Sequence, residues 1–148
     1  MKTVRDILES KPKEIWSISP KAKVFDALRL MKEKNVGALI VIDDWRKVAG
    51  IISERDYARK VILLGKSSKH ASVEEIMTPM SHLFCVSPVN TVDECMVLMT
   101  RQEIRHLPVL EAGRLLGIIS IGDVVKSLIA ERDYIIDQLS SYNGGRTM

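Results

Sequence analysis

The stretch Gly117-Ile118-Ile119-Ser120-Ile121-Gly122-Asp123 has an earlier counterpart, Gly50-Ile51-Ile52-Ser53-Glu54-Arg55-Asp56. Each is a glycine, a short apolar run, Ser-x-x-Asp, and then a helical pattern. A chain that writes the same strand-to-helix switch twice reads as a duplicated unit. The apolar run reads as a short buried strand. Ser-x-x-Asp at its end sets a hydroxyl and a carboxylate beside the free N–H groups of the following helix. Such an end can take phosphate at the helix and hydroxyl groups at the carboxylate.

The duplication extends well beyond the motif. Ser19-Pro20 recurs as Ser87-Pro88, and Val24, Met31, Val36 and Val41 recur as Val92, Met99, Ile104 and Val109 at the same offset. One residue is lost in a turn before Gly50, Ser53 and Asp56 align with Gly117, Ser120 and Asp123. A slip confined to a turn is what a repeated unit tolerates. The lead-ins also match, Val4-Arg5-Asp6-Ile7-Leu8 resembling Val73-Glu74-Glu75-Ile76-Met77.

Local patterns predict the elements. In the first repeat, Lys13–Ile18 reads as a short strand. Val24, Ala27, Leu28 and Met31 give an amphipathic helix over Lys23–Lys34. Gly37–Ile42 and Val48–Ser53 form a hairpin around the polar turn Asp43–Lys47. A helix follows over Glu54–Leu64, ended by Gly65, and Lys66–His70 is a polar linker. In the second repeat Phe84–Val86 is the short strand. Thr91 caps a helix with Glu94 at the capping-box spacing, and Val92, Cys95, Met96 and Met99 form its buried stripe. His106–Leu110 and Leu115–Ser120 form the hairpin. The last helix starts at Gly122 and is expected to end at Asn143-Gly144-Gly145.

Composition narrows the function classes. Net charge is +3, from 22 basic against 19 acidic residues, and no basic block stands out, so nucleic acid is not an expected partner. The longest apolar runs are about five or six residues, against the roughly 18–20 that span a bilayer, so no membrane is expected. The N-terminus lacks the apolar core of a signal peptide. Cys85 and Cys95 have no C-x-x-C spacing and read as free thiols in a reducing cytoplasm.

The order strand, helix, hairpin, G-x-x-S-x-x-D, helix, written twice, resembles a tandem pair of cystathionine β-synthase (CBS) domains, the Bateman module. Ile104-Arg105-His106-Leu107-Pro108-Val109 and the two Ser-x-x-Asp stretches carry the resemblance, which runs from about Val4 to about Ile136. It implies an α/β (α+β) fold of two β-α-β-β-α repeats packed as a pseudo-two-fold pair, with related clefts between them. The expected division is 1–70 for the first repeat with its lead-in, 71–142 for the second, and 143–148 as a flexible tail.

What the resemblance implies about function is a non-catalytic regulatory module with no cofactor. Its ligand would be an adenine nucleotide such as AMP, ADP or ATP, or S-adenosylmethionine or NAD. The motif Asp would hold ribose hydroxyls, and the Ser would lie near ribose or phosphate. Carried over, these are Asp123, Ser120, Ile104, Leu107 and Pro108, with Arg105 and His106 for phosphates. In the first repeat they are Asp56, Ser53, Val36 and Ala38. Asn90 and Ala22 stand where the family often has a Thr near the ligand. The first repeat has Val36-Gly37-Ala38-Leu39-Ile40 in place of the second repeat's basic pair and proline. Arg55 is its candidate phosphate contact, and the second site is expected to be the better one. The family also implies a homodimer. With no effector domain attached, the regulated partner would be a separate protein met through the module's own surface, or the target would be the module itself after assembly.

Plainer readings stand beside these. Ser53/Asp56 and Ser120/Asp123 also suit helix caps worth about 1 kcal/mol. Arg105 also reads as a solvated strand-end charge, and His106 as a structural histidine. His70 and His82 read as loop residues, and Met96 and Met99 as core. Trp45 is expected to pack over its hairpin, with an exposed contact for a partner as the alternative. A ligand-free dimerisation scaffold is the alternative function. An enzyme is disfavoured, since no P-loop, metal-ligand spacing or nucleophile–base set is evident.

Overall fold

The computed structural model describes residues 1–147, with side chains as far as Ser141. The expected tail at 143–148, and the helix stop at Asn143, lie outside the residues described in full. In chain order the elements are α1 (Val4–Glu9), β1 (Ser17–Ile18), α2 (Val24–Lys34), β2 (Ala38–Ile42), β3 (Val48–Ser53) and α3 (Glu54–Asp56). There follow α4 (Val73–Ile76), β4 (Thr78–Pro79), α5 (Val92–Gln102), β5 (His106–Glu111), β6 (Arg114–Ser120) and α6 (Ile121–Thr147). Helices and strands mix as the repeated pattern predicts, in two sheets.

Two compact units form, and they do not follow the order of the repeats. One comprises residues 1–13 and 85–148, the other residues 14–84. Each lead-in therefore packs with the opposite repeat. In the first unit α1 is tied to the turn before α5: the Val4 N–H donates to the Asn90 carbonyl (2.9 Å) and the Val92 N–H to the Lys2 carbonyl (3.1 Å). In the second, α4 is tied to the turn before α2: the Val73 N–H donates to the Ala22 carbonyl (2.8 Å) and the Val24 N–H to the Ala71 carbonyl (2.9 Å). A division at residue 70 separates the repeats as written in the sequence. The packed units exchange their lead-ins.

The exchange is driven by burial. Val4 and Ile7 complete a core with Val92, Cys95, Met99, Leu107, Val109, Ile119 and Val124. Val73 and Ile76 complete the other core with Val24, Ala27, Met31, Leu39, Val41 and Ile52. Fully burying a Val or Ile contributes about 1.5–3 kcal/mol, so these short helices are held by tertiary contact, not by their own propensity.

The glycine before each motif makes room for a lead-in. A Cβ on Gly50 would run into the Thr78 carbonyl, because Gly50 pairs with Pro79 where β4 adds to the edge of β3. A Cβ on Gly117 would stand 2.9 Å from the Leu8 side chain.

In the second unit the sheet order is β1-β2-β3-β4, with β1 parallel to β2 and the other pairs antiparallel. In the first, β5 and β6 form a hairpin whose turn residues Ala112 (φ 51°) and Gly113 (φ 78°) are both left-handed. Helices α2 and α5 end alike, on left-handed Asn35 and Glu103.

Several local expectations are corrected. The strand expected over Lys13–Ile18 shortens to Ser17–Ile18. The strand expected at Phe84–Val86 is a single bridge, Val86 to Val109, because only Val86 both donates to and accepts from β5. The helix after Ser53 is one α-turn followed by a wider π-helical stretch, Tyr57–Ile62, with Gly65 (φ 72°) closing the turn beyond it. Trp45 does not pack over its hairpin and is 79% exposed. Asp43 closes that turn by accepting from the Trp45 and Lys47 N–H groups (2.9 Å each), and the indole is left outside. Among the described residues, no helix is long and apolar enough to cross a membrane.

Candidate functional site

Each motif sits where a hairpin's last strand turns into a helix. In the second repeat His106 lies directly across from Ser120, and the Ile121 N–H donates to the Arg105 carbonyl (2.8 Å). In the first, Ala38 lies across from Ser53, and the Glu54 N–H donates to the Gly37 carbonyl (3.1 Å). The same backbone bond thus locks the start of one strand to the first turn of the helix in both repeats.

The Ser-x-x-Asp residues close on themselves as caps. The Ser120 N–H donates to Asp123 Oδ2 (2.8 Å), and the Asp123 N–H returns to Ser120 Oγ (3.2 Å). The Ser53 N–H and Oγ–H donate to Asp56 Oδ2 (2.9 and 3.1 Å), and the Asp56 N–H returns to Ser53 Oγ (3.3 Å). These bonds satisfy helix-end donors and aim each carboxylate at the sheet end.

Each carboxylate also meets a lysine absent from the sequence-based site. Lys11 Nζ lies 2.7 Å from Asp123 Oδ2 and donates to the Ile118 carbonyl at 2.9 Å. Lys60 Nζ lies 3.4 Å from Asp56 Oδ1 and donates to the Ile76 carbonyl at 3.0 Å. Lys60 was visible as the i+4 partner of Asp56 on one helix. Lys11 carried no sequence signal, because it comes from the lead-in of the other repeat. Burial pushes the Asp123 carboxyl upward. Hydrogen bonds from Lys11 and the Ser120 N–H, with the lysine charge, outweigh that and hold it below the usual carboxylate range.

The remaining candidates divide into two groups. Arg105 is exposed and His106 half-buried, at the same sheet end as Ser120 and Asp123. Arg55 is half-buried inside the first motif. Ile104 and Val36 follow the left-handed residues and bond back to the Met99 and Met31 carbonyls (3.0 Å each), half-buried at the strand entries. Leu107 is fully buried in the core and backs the strand from behind, while Ala38 and Pro108 are buried within their hairpins. Asn90 and Ala22 hold the lead-ins through their carbonyls. The Asn90 side chain is itself engaged: Oδ1 accepts from the Ser87 N–H (2.8 Å) and Nδ2 donates to Glu94 (2.7 Å).

Both cysteines are free thiols. Burial, with Glu94 nearby, pushes the Cys95 thiol up to about 11, and burial raises Cys85. Neither is a ready nucleophile at neutral pH. Among the described residues, no group of three or more His, Cys, Asp or Glu is placed to hold a metal ion.

The family model for the CBS domain matches residues 3–62 and 73–130. The chain is 39% identical over 150 residues to CBS domain-containing protein CBSX3, mitochondrial, of Arabidopsis thaliana, spanning 97% of this chain and 72% of that protein. It superposes on a protein with CBS domains from Burkholderia ambifaria with a TM-score of 0.83 at 52% identity, covering 87% of this chain and 95% of the other. It also superposes on the CBS domain pair of protein MJ0100, solved with 5′-methylthioadenosine and S-adenosyl-L-methionine. There the TM-score is 0.74 at 23% identity, over 88% and 98% of the two chains, a likeness of fold. The duplicated hairpin-and-cap unit is matched in both copies, and the chain belongs to the CBS domain family as a tandem pair of CBS domains.

Proposed function

We propose that this CBS pair is a non-catalytic regulatory module that binds an adenine nucleotide or adenosyl compound at the Ser120–Asp123 sheet end, and more weakly at Ser53–Asp56. The observation that carries the reading is Asp123 itself: a half-buried carboxylate, held ionised, at the same sheet end as Arg105 and His106. An ionised carboxylate accepts from two vicinal hydroxyls at once, as a ribose presents them. Arg105 supplies positive charge for phosphate and His106 a ring nitrogen beside it, with Ile104 and Pro108 as the apolar side for adenine and Ser120 near the sugar. In the first repeat Asp56, Ser53 and Arg55 play these parts beside Val36 and Ala38. The adenosyl ligands bound by the MJ0100 pair support the ligand class.

The regulated target would be a separate protein, and the module is read as self-associating. A ligand shifts such a target only by binding its two states differently. The two free thiols fit a reducing compartment such as the cytoplasm.

Calorimetric titration with AMP, ADP, ATP, S-adenosylmethionine, NAD and adenine tests the reading. AMP or ADP is expected to bind at least as well as ATP, because among the described residues no carboxylate cage for Mg²⁺ accompanies the phosphate contacts. Adenine alone is expected to fail. Equal affinity for adenine and AMP would show that the ribose and phosphate contacts are misassigned.

A second reading, a scaffold without ligand, is favoured by a specific observation. The motif carboxylates already accept cap and lysine hydrogen bonds. On that reading no adenine compound gives a binding signal.

A further inference from the structure

The two motif carboxylates are capped alike, but their oxygens are not engaged alike. An ionised carboxylate has about four lone-pair sites, two on each oxygen. On Asp123 a single oxygen, Oδ2, accepts from both the Ser120 N–H (2.8 Å) and Lys11 Nζ (2.7 Å). Among the described residues no hydrogen bond goes to Oδ1. On Asp56 both oxygens are engaged. Oδ2 accepts from the Ser53 N–H and Oγ–H (2.9 and 3.1 Å), and Lys60 Nζ stands 3.4 Å from Oδ1.

The difference follows from where each lysine comes from. Lys11 is anchored on β6 by the Ile118 carbonyl (2.9 Å), so it reaches the same oxygen that the strand-end N–H of Ser120 holds. Lys60 lies one helical turn after Asp56 and is anchored on the Ile76 carbonyl (3.0 Å), so it meets the carboxylate from the helix side. The Asp123 and Asp56 side chains are only 18% and 13% exposed, and water screens these contacts in part. A vicinal diol brings two O–H donors and needs two acceptor sites. Asp123 has both on one uncommitted oxygen. At Asp56 the Lys60 ammonium stands where one of the hydroxyls would go.

We propose that the two lysines decide which motif carboxylate takes a ribose diol: Lys11 holds Asp123 Oδ2 and leaves Oδ1 to the ligand, whereas Lys60 occupies the Asp56 oxygen that the ligand would use. The proposal rests on the adenine-nucleotide reading above and adds two residues to it. Lys11 is a positioning residue that acts through Asp123. With two donors on one oxygen, the carboxylate is kept from turning its second oxygen back to the cap. Lys60 is a competitor, which a ligand has to displace before Asp56 can accept two hydroxyls. Two lysines in matching places therefore have opposite effects, and they make the sites unequal independently of Arg105 and His106.

Calorimetric titration of the full chain with AMP and with 2′-deoxy-AMP, which lacks one of the two hydroxyls, is the test. The unaltered chain is expected to favour AMP about tenfold. Lys11→Met is expected to weaken AMP binding and to remove most of that preference, and Lys11→Arg to keep it. A merely structural role would weaken both ligands alike and leave their ratio unchanged. Lys60→Met is read in the Asp123→Ala background, where the first motif supplies the remaining carboxylate, and is expected to raise AMP affinity about tenfold. Circular dichroism checks folding at the assay temperature, and Lys60→Gln, which keeps a neutral donor for the Ile76 carbonyl, takes the place of a Lys60→Met chain that melts. An unaltered chain that binds neither ligand, or both alike, would overturn the lysine roles together with the ribose contact they rest on. A normal AMP preference in the unaltered chain that survives Lys11→Met would overturn the role of Lys11 alone. AMP affinity that stays level or falls on changing Lys60 would overturn the role of Lys60 alone.

Discussion

Lys11 Nζ lies 2.7 Å from Asp123 Oδ2, joining the N-terminal lead-in to the motif of the second repeat across 112 positions of sequence. Both side chains are less than a third exposed, so the pair is only partly screened by water. Hydrogen bonds to a charged group are worth roughly 1.5–3 kcal/mol, and partial exposure brings the expected cost of Lys11→Met to about 1–2 kcal/mol. The pH dependence has a definite sign. The folded-state pKa of Asp123 is depressed, so its stabilisation is complete above the unfolded value of ~3.9 and is lost as pH falls through the folded value. The gap between the two proteins in urea unfolding should therefore narrow on the acid side. Only the part due to the Ile118 carbonyl should remain there. A gap independent of pH would show that Lys11 acts by packing alone.

Asp123→Ala separates ribose binding from helix capping. If the carboxylate holds a ribose, its loss should weaken adenine-nucleotide affinity about tenfold or more. Asp56→Ala should do less, because the first repeat lacks the Arg105-His106 pair. The experiment is nucleotide titration of both variants, alongside thermal unfolding without ligand. Normal binding by Asp123→Ala, with a lowered melting temperature, would leave the motif as a cap only.

Gly50→Ala and Gly117→Ala should differ sharply, although the two glycines hold the same place in their repeats. At Gly50 the obstacle is the Thr78 backbone carbonyl, which cannot retreat without unpairing β4. At Gly117 it is the end of the Leu8 side chain, which can shift. Overpacking costs typically 1–3 kcal/mol and sometimes more, so Gly50→Ala should lose about 3 kcal/mol and Gly117→Ala about 1 or less. Chemical denaturation of both reports the order, and equal losses would contradict it.

Ala112 stands at φ 51° in the two-residue turn between β5 and β6. A left-handed alanine costs about 1–2 kcal/mol, which asparagine partly avoids. Ala112→Asn creates the Asn-Gly pair that this hairpin turn favours, and should stabilise by about 0.5–1 kcal/mol. A melting temperature that stays level or falls would count against the turn geometry.

Local pattern alone determined much of this protein. The helical spacing of Val24, Ala27 and Met31, the boundaries of β3 from Val48 to Ser53, and the Thr91–Glu94 cap all depend on residues within a turn or two of each other. The duplication was legible because equivalent residues recur in order. It placed Ser53, Asp56, Ser120 and Asp123 at strand ends, while Arg105 and His106 entered the site through the family resemblance.

Tertiary structure decided the rest. Which repeat each lead-in joins, the docking role of Asn90 and Ala22, the pairing of β4 with β3, and the Lys11 contact to Asp123 have no local signature. Val4-Arg5-Asp6-Ile7-Leu8 and Val73-Glu74-Glu75-Ile76-Met77 are too alike for either to specify its partner by pattern. Hydrophobic burial is non-directional, so a short apolar segment does not name the surface it will cover. That choice falls to the fit of a finished core, where Gly50 leaves space for the Thr78 backbone and Gly117 leaves space for Leu8.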